Sequence, residues 1–179
     1  MDDLTTRGEA SGDEPVTSRR QVVASAVTMA LVAGSATSAR AQSSSNLTFS
    51  NPSGLSYPHG AYSHVVEVSG PHRTVYIAGQ GGVSADGKIA DGFRNQVIQT
   101  MENLKIALNS VGGGLEHVVK FNIYLTDIEA NAKEFREVRA QYFTNKSPLP
   151  PATLVQVAQL ANPKLLIEVE LTAVLPPKA

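Results

Sequence analysis

Cysteine is missing from the whole chain, and so is tryptophan. Without thiols the protein can have no disulfide framework, no thiolate nucleophile and no zinc-thiolate site. Charge of one sign is missing too, since 15 Lys+Arg stand against 16 Asp+Glu. No basic or acidic field is left to attract nucleic acid or an anionic membrane. Phe and Tyr make up 6% of the residues and are scattered through apolar positions rather than arrayed with basic ones, so no RNA-stacking face is legible. His59, His64, His72 and His117 show neither H-x-H nor H-E-x-x-H spacing, which argues against a metal site. Gly112-Gly113-Gly114 lacks the following Lys-Ser/Thr of a phosphate loop, and no G-x-S-x-G elbow is present. No cofactor is expected.

Long apolar runs are also absent. The most apolar stretch, Val22 to Ala33, is shorter than the roughly 20 residues that span a bilayer. It follows Arg19-Arg20 and precedes Ala39-Arg40-Ala41, so residues 1–41 resemble a twin-arginine export signal cleaved before Gln42. The alternative is a membrane anchor. Cleavage would give a periplasmic or secreted protein with no stable membrane insertion. It would also remove Arg7, Arg19, Arg20, Arg40 and Asp2, Asp3, Glu9, Asp13, Glu14, leaving 11 charges of each sign. Residues 42–56 are rich in Ser and Asn and read as a flexible tether. Residues 57–176 suffice for one domain with one core.

Within that domain, Ala61–Val68 and Thr74–Ala78 flank the turn cluster Ser69-Gly70-Pro71-His72 and predict a hairpin. Asp91 is a candidate N-cap for a helix whose stripe is Val97, Met101, Leu104, Leu108 and Val111, stopped by Gly112–Gly114. His117–Leu125 alternates as a strand, with Lys120, Asn122 and Tyr124 opposite Val119, Phe121, Ile123 and Leu125. Thr126-Asp127 then caps a second helix with the stripe Ile128, Ala132, Phe135, Val138 and Tyr142. Pro148, Pro150 and Pro151 end it before two last strands. The order predicted is ββαβαββ, an α+β domain with both helices on one face of a sheet. Val155, Val157, Ile167 and Val169 would then leave an apolar face uncovered, which predicts self-association.

The last strand carries Glu168 and Glu170 on one face and Ile167, Val169 and Leu171 on the other. A carboxylate pair on an otherwise apolar strand is the first candidate for chemistry. Several segments resemble, in their order and spacing, the RidA/YjgF family: Gly60-Ala61-Tyr62-Ser63, Ala78-Gly79-Gln80, Met101-Glu102-Asn103-Leu104-Lys105, Tyr124-Leu125-Thr126-Asp127, Tyr142-Phe143, and the blocks PPATLVQVAQL and LLIEVELTAV. The resemblance implies a chorismate-mutase-like fold, a homotrimer, and a cleft between each pair of subunits that binds a small molecule. It places Glu168 as proton relay in the hydrolysis of enamines or imines, where one carboxyl group in a partly apolar cleft can both protonate nitrogen and deliver water. Glu168 could instead only hydrogen-bond backbone amides or a neighbouring subunit. Tyr62 would wall the ligand and Gly79 would admit it close to backbone.

Where the family's better-studied enzymes have Pro-Ala-Arg-Ser-Cys, this chain has Pro150-Pro151-Ala152-Thr153-Leu154. The arginine that holds the substrate carboxylate falls at Ala152, the cysteine at Leu154, and a further serine at Ala78. A pocket built on Ala152, Thr153 and Leu154 is therefore expected to be less polar, without its anion clamp. Arg136 is the one replacement cation considered, against its being a solvated helix-face residue. Two activities stay open: a hydrolase of altered specificity, and a small-molecule-binding or interaction protein without chemistry.

Overall fold

The computed structural model describes residues 46–143 and 148–178, all within one compact unit that spans 41–179. The expected export signal lies outside the described residues. No helix among the described residues is long and apolar enough to cross a membrane.

The elements run β1 (Asn46–Ser50), β2 (Val65–Ser69), β3 (Arg73–Gly81), α1 (Phe93–Ser110), β4 (Val118–Leu125), α2 (Ile128–Tyr142), β5 (Ala152–Gln156) and β6 (Ile167–Leu175). Four strands form the main sheet in the order β3-β6-β4-β5. Both β3 and β4 pair antiparallel with β6, whereas β5 runs parallel to β4 as the far end of a β4-α2-β5 crossover. The architecture is the expected α+β one, with two helices on one face.

Three sequence expectations need correction. Part of the supposed tether is strand β1, which pairs antiparallel with β2 from Asn46↔Ser69 to Ser50↔Val65. The predicted hairpin is not a ladder: β2 pairs with β1, and Pro71 at its corner has no N–H to offer. Helix α1 begins one residue later than a cap at Asp91 would require. Its N-cap is Gly92, and the Asp91 carbonyl instead accepts from Asn95 Nδ2 at 2.8 Å. The second cap forms as read, with the Asp127 carboxylate accepting from Ala130 N at 2.9 Å.

Alternation along the strands decides what each face carries. Val75, Ile77, Phe121, Ile123, Leu125, Ile167, Val169 and Leu171 pack under the stripes Val97, Met101, Leu104, Leu108 and Phe135, Val138 of the helices. Each large side chain buried there contributes about 1.5–3 kcal/mol. Ile167 and Val169, expected to lie on the uncovered face, are thus under the helices. The open face is largely polar, with Lys120, Asn122, Tyr124, Glu168, Glu170 and Thr172, and with Tyr76 81% exposed among them.

Candidate functional site

The predicted site residues fall into two groups on opposite faces of the sheet. Strand β5 sends Ala152 and Leu154 toward the helix side, where they sit beside Phe121 and Ile123 of β4. Helix α2 crosses above them and brings Phe135, Arg136 and Arg139 over the same ground. The loop before β2 supplies Ala61 and Tyr62. Together these enclose a cavity of about 180 Å³. Pockets for drug-sized ligands run to about 300–1,000 Å³, so this one suits a body of only a few heavy atoms. Tyr62 is steadied by His64, whose ring meets it edge-on at 5.2 Å. His64 in turn is tied to Ser56 O and to the Asn51 side chain.

Thr153 does not join this pocket. Odd and even positions of β5 point opposite ways, and Thr153 is exposed on the other face, accepting from Lys120 Nζ at 2.7 Å.

The strand arginine is absent from this pocket, as Ala152 implies, and two arginines of α2 line it instead. Arg136 lines it from the exposed side, and Arg139, which the sequence reading passed over, lines it from within. Arg139 is 8% exposed. Its Nη2 donates to Ala61 O at 2.7 Å, its guanidinium stacks over the Phe135 ring at 5.6 Å, and its Nε is buried with no partner among the described residues. Burial pushes its pKa below the ordinary value, and the neighbouring Arg136 charge adds to this; an arginine remains cationic nonetheless. The missed signal was spacing: four residues from Phe135 and three from Tyr142, position 139 falls on the apolar stripe.

The second group centres on Glu168. The β3–β6 register shifts between Ile77 and Gln80, a bulge that takes Ala78 and Gly79 out of the ladder. Gln80 Nε2 folds back on the Ala78 and Gly79 carbonyls at 3.2 and 3.1 Å. The Glu168 side chain lies across Gly79 so closely that a Cβ there would meet its Cδ at 2.8 Å as well as its Oε1. Glu170 is occupied, accepting from Asn122 Nδ2 at 2.8 Å and Tyr124 Oη at 3.1 Å. That bond, followed by burial, raises the Tyr124 pKa. The Glu168 carboxyl takes no such bond among the described residues.

The family model described as endoribonuclease L-PSP matches residues 55–175, most of this chain. The chain belongs to the RidA/YjgF family. It is 39% identical over 118 residues to a RutC family protein of Aquifex aeolicus, covering 65% of this chain and 90% of that one. It is 31% identical over 114 residues to the 2-iminobutanoate/2-iminopropanoate deaminase of Dermatophagoides farinae, covering 62% and 84%. Among solved structures, the Rid family protein YyfB of Yersinia pestis superposes with a TM-score of 0.64 at 33% identity over 73% of this chain and 99% of its own. RidA of a Psychrobacter species does so with 0.53 at 35%, over 63% and 86%. The chorismate-mutase-like fold read from the sequence is thus the fold of this RidA/YjgF member.

Proposed function

We propose that the chain hydrolyses a small imine, or the enamine that tautomerises to it, in clefts formed between subunits of a homotrimer. The observation that carries this is the Glu168 carboxyl, laid over a bulged glycine and free of the hydrogen bonds that occupy Glu170 two residues away. Hydrolysis adds water to the C=N carbon and releases ammonia. It needs one group that takes a proton from water and gives one to nitrogen, and an uncommitted carboxyl does both. Tyr62 and its pocket would hold the body of the substrate.

The two faces support a shared cleft. By strand alternation Glu168 points away from the pocket of Tyr62, Ala152 and Leu154 within its own chain, so one protomer cannot bring both groups to one molecule. A second copy can. The deaminase named among the relatives supports the reaction type.

The test is ammonia release by the purified protein from freshly generated 2-imino acids, compared with Glu168→Gln. General acid–base catalysis is worth about 10²–10⁴-fold, so the variant should lose at least about 100-fold in kcat while keeping its thermal midpoint. Equal rates in the two proteins would refute the assignment. If neither turns over any imine, the remaining reading is a ligand-binding protein on the same fold.

A further inference from the structure

We propose that Gln96 and Asn103, two side-chain amides on one face of α1, are positioning residues that hold the Glu168 carboxyl over Gly79 without touching it. The role deepens the hydrolase proposal and rests on it. A carboxyl that must take and give protons works best when it is not tied down by hydrogen bonds, and Glu168 is free of those that occupy Glu170. Its placement then has to come from the backbone on either side.

Glu168 lies opposite Gly81 on the last rung that β3 shares with β6, so past that rung no pairing between these two strands keeps them in step. Both are held there from α1. Asn103 Nδ2 donates to Gly81 O at 3.1 Å and to Val83 O at 2.8 Å, gripping the end of β3 on both sides of Gly82. Its Oδ1 accepts from Gln99 Nε2 at 2.8 Å, which fixes the amide's orientation. Gln96 does the same for the strand that carries the carboxyl: it donates to Lys164 O and accepts from Leu166 N, two residues before Glu168. The two amides stand two helical turns apart, so one face of one rigid element sets the spacing of both backbones. Every polar atom of both amides is engaged, and Gln96 is 3% exposed. Thr100 lies between them on the same seam, buried, with a hydroxyl that meets no partner among the described residues, so a polar group on this face does not by itself make a tie. Fully satisfied polar ties of this kind rigidify and specify geometry where apolar packing would leave slack.

Ammonia release from 2-imino acids is measured for the full-length protein, Gln96→Met and Asn103→Ala at a temperature where thermal melts show each to be folded. A displacement of about 1 Å costs on the order of 100-fold, so each variant should lose at least about tenfold in kcat. KM should stay within about twofold, because the Tyr62 pocket lies on the other face of the sheet. In a Glu168→Gln background the same substitutions should change the remaining rate by less than about twofold, as expected of residues that act through that carboxyl. Leu108→Val, which removes core volume toward the far end of α1, should lower the thermal midpoint and leave kcat unchanged. The carboxyl carbon NMR resonance of Glu168, assigned by its disappearance in Glu168→Gln, reports the placement without any turnover. It should move in Gln96→Met and Asn103→Ala but not in Leu108→Val. If Gln96→Met does not fold, Asn103→Ala decides, because its side chain is only half-buried. An unmoved resonance, or kcat within about twofold of wild type in the folded variants, overturns the proposal. So does a loss that persists in full in the Glu168→Gln background. Absence of ammonia release by wild type refutes the hydrolase reading instead, and a resonance that moves in both variants then leaves the placement of the carboxyl by the two amides standing.

Discussion

At position 79 the Glu168 side chain occupies the space where a Cβ would begin. Gly79→Ala should therefore move the Glu168 carboxyl rather than unfold the chain, and displacing a reacting group by about 1 Å costs on the order of 100-fold. Ammonia release should fall accordingly while the urea midpoint changes little. Tyr142 makes a different prediction. Burial, then hydrogen bonding to Glu102, pushes its pKa up to about 12. An unfolded tyrosine ionises near 10. Above that pH the unfolded chain gives up a proton that the folded chain keeps, so the stabilising contribution is complete below about pH 10 and declines as pH rises toward 12. Urea midpoints measured at about pH 9 and about pH 11 should differ more for wild type than for Tyr142→Phe.

At the scale of elements, the packing of α1 against β3 depends on another close approach. A Cβ on Gly82 would meet Gln96 Cα and Cβ at 2.5 Å, backbone and core rather than a movable tip. Gly82→Ala should cost about 1–3 kcal/mol, read as a lower urea midpoint at unchanged slope. Gln96 clamps the same corner: its Nε2 donates to Lys164 O at 2.9 Å and its Oε1 accepts from Leu166 N at 2.8 Å, fixing the segment that leads into β6 and Glu168. At the start of α2, losing the Asp127 cap should cost about 1 kcal/mol. Asp127→Ala should show that cost as a lower urea midpoint at unchanged slope.

Stripe and alternation made both helices and the four strands of the main sheet legible, because one side of each faces a shared apolar layer. The hairpin was misread for a physical reason: turn residues show that the chain reverses, but not which neighbour the strand bonds to. Val65–Ser69 found β1 instead. In the candidate site, alternation along β6 singled out Glu168 and Glu170 as a carboxylate pair, whereas Gly79 was a candidate only through the family resemblance and its bulge belongs to the folded sheet. Thr153 was placed in the pocket by a linear motif that ignores the two-residue period of β5. Arg139 was overlooked because a cation on an apolar stripe reads as the stripe's edge until its burial is known.

On the whole-molecule scale, an assembly is required if the pocket and the carboxyl are to meet. Mixing Glu168→Gln with Tyr62→Ala subunits under conditions that exchange them should recover part of the ammonia release that each lacks alone, since some mixed clefts draw both intact halves. No recovery, with exchange verified, would show that the pocket and the carboxyl do not serve one reaction. The polar open face, rather than the apolar one first expected, would form the contact. The export proposal is checked separately: replacing Arg19 and Arg20 by lysine in the full-length chain should keep the protein out of the periplasm.

Periodicity and the placement of glycines and prolines sufficed to fix the helices, the main strands and the carboxyl on β6, while the family was legible only through the resemblance of several short segments. These are local properties, set by which side chains share a face. Which charged residues line the pocket was decided only in three dimensions. The loss at Ala152 is visible in the chain, but the two arginines that line the cavity lie on another element, brought over it by the crossover of α2. No spacing along the sequence records that Arg139 is buried there against Ala61 and Phe135, because burial is set by how the elements pack.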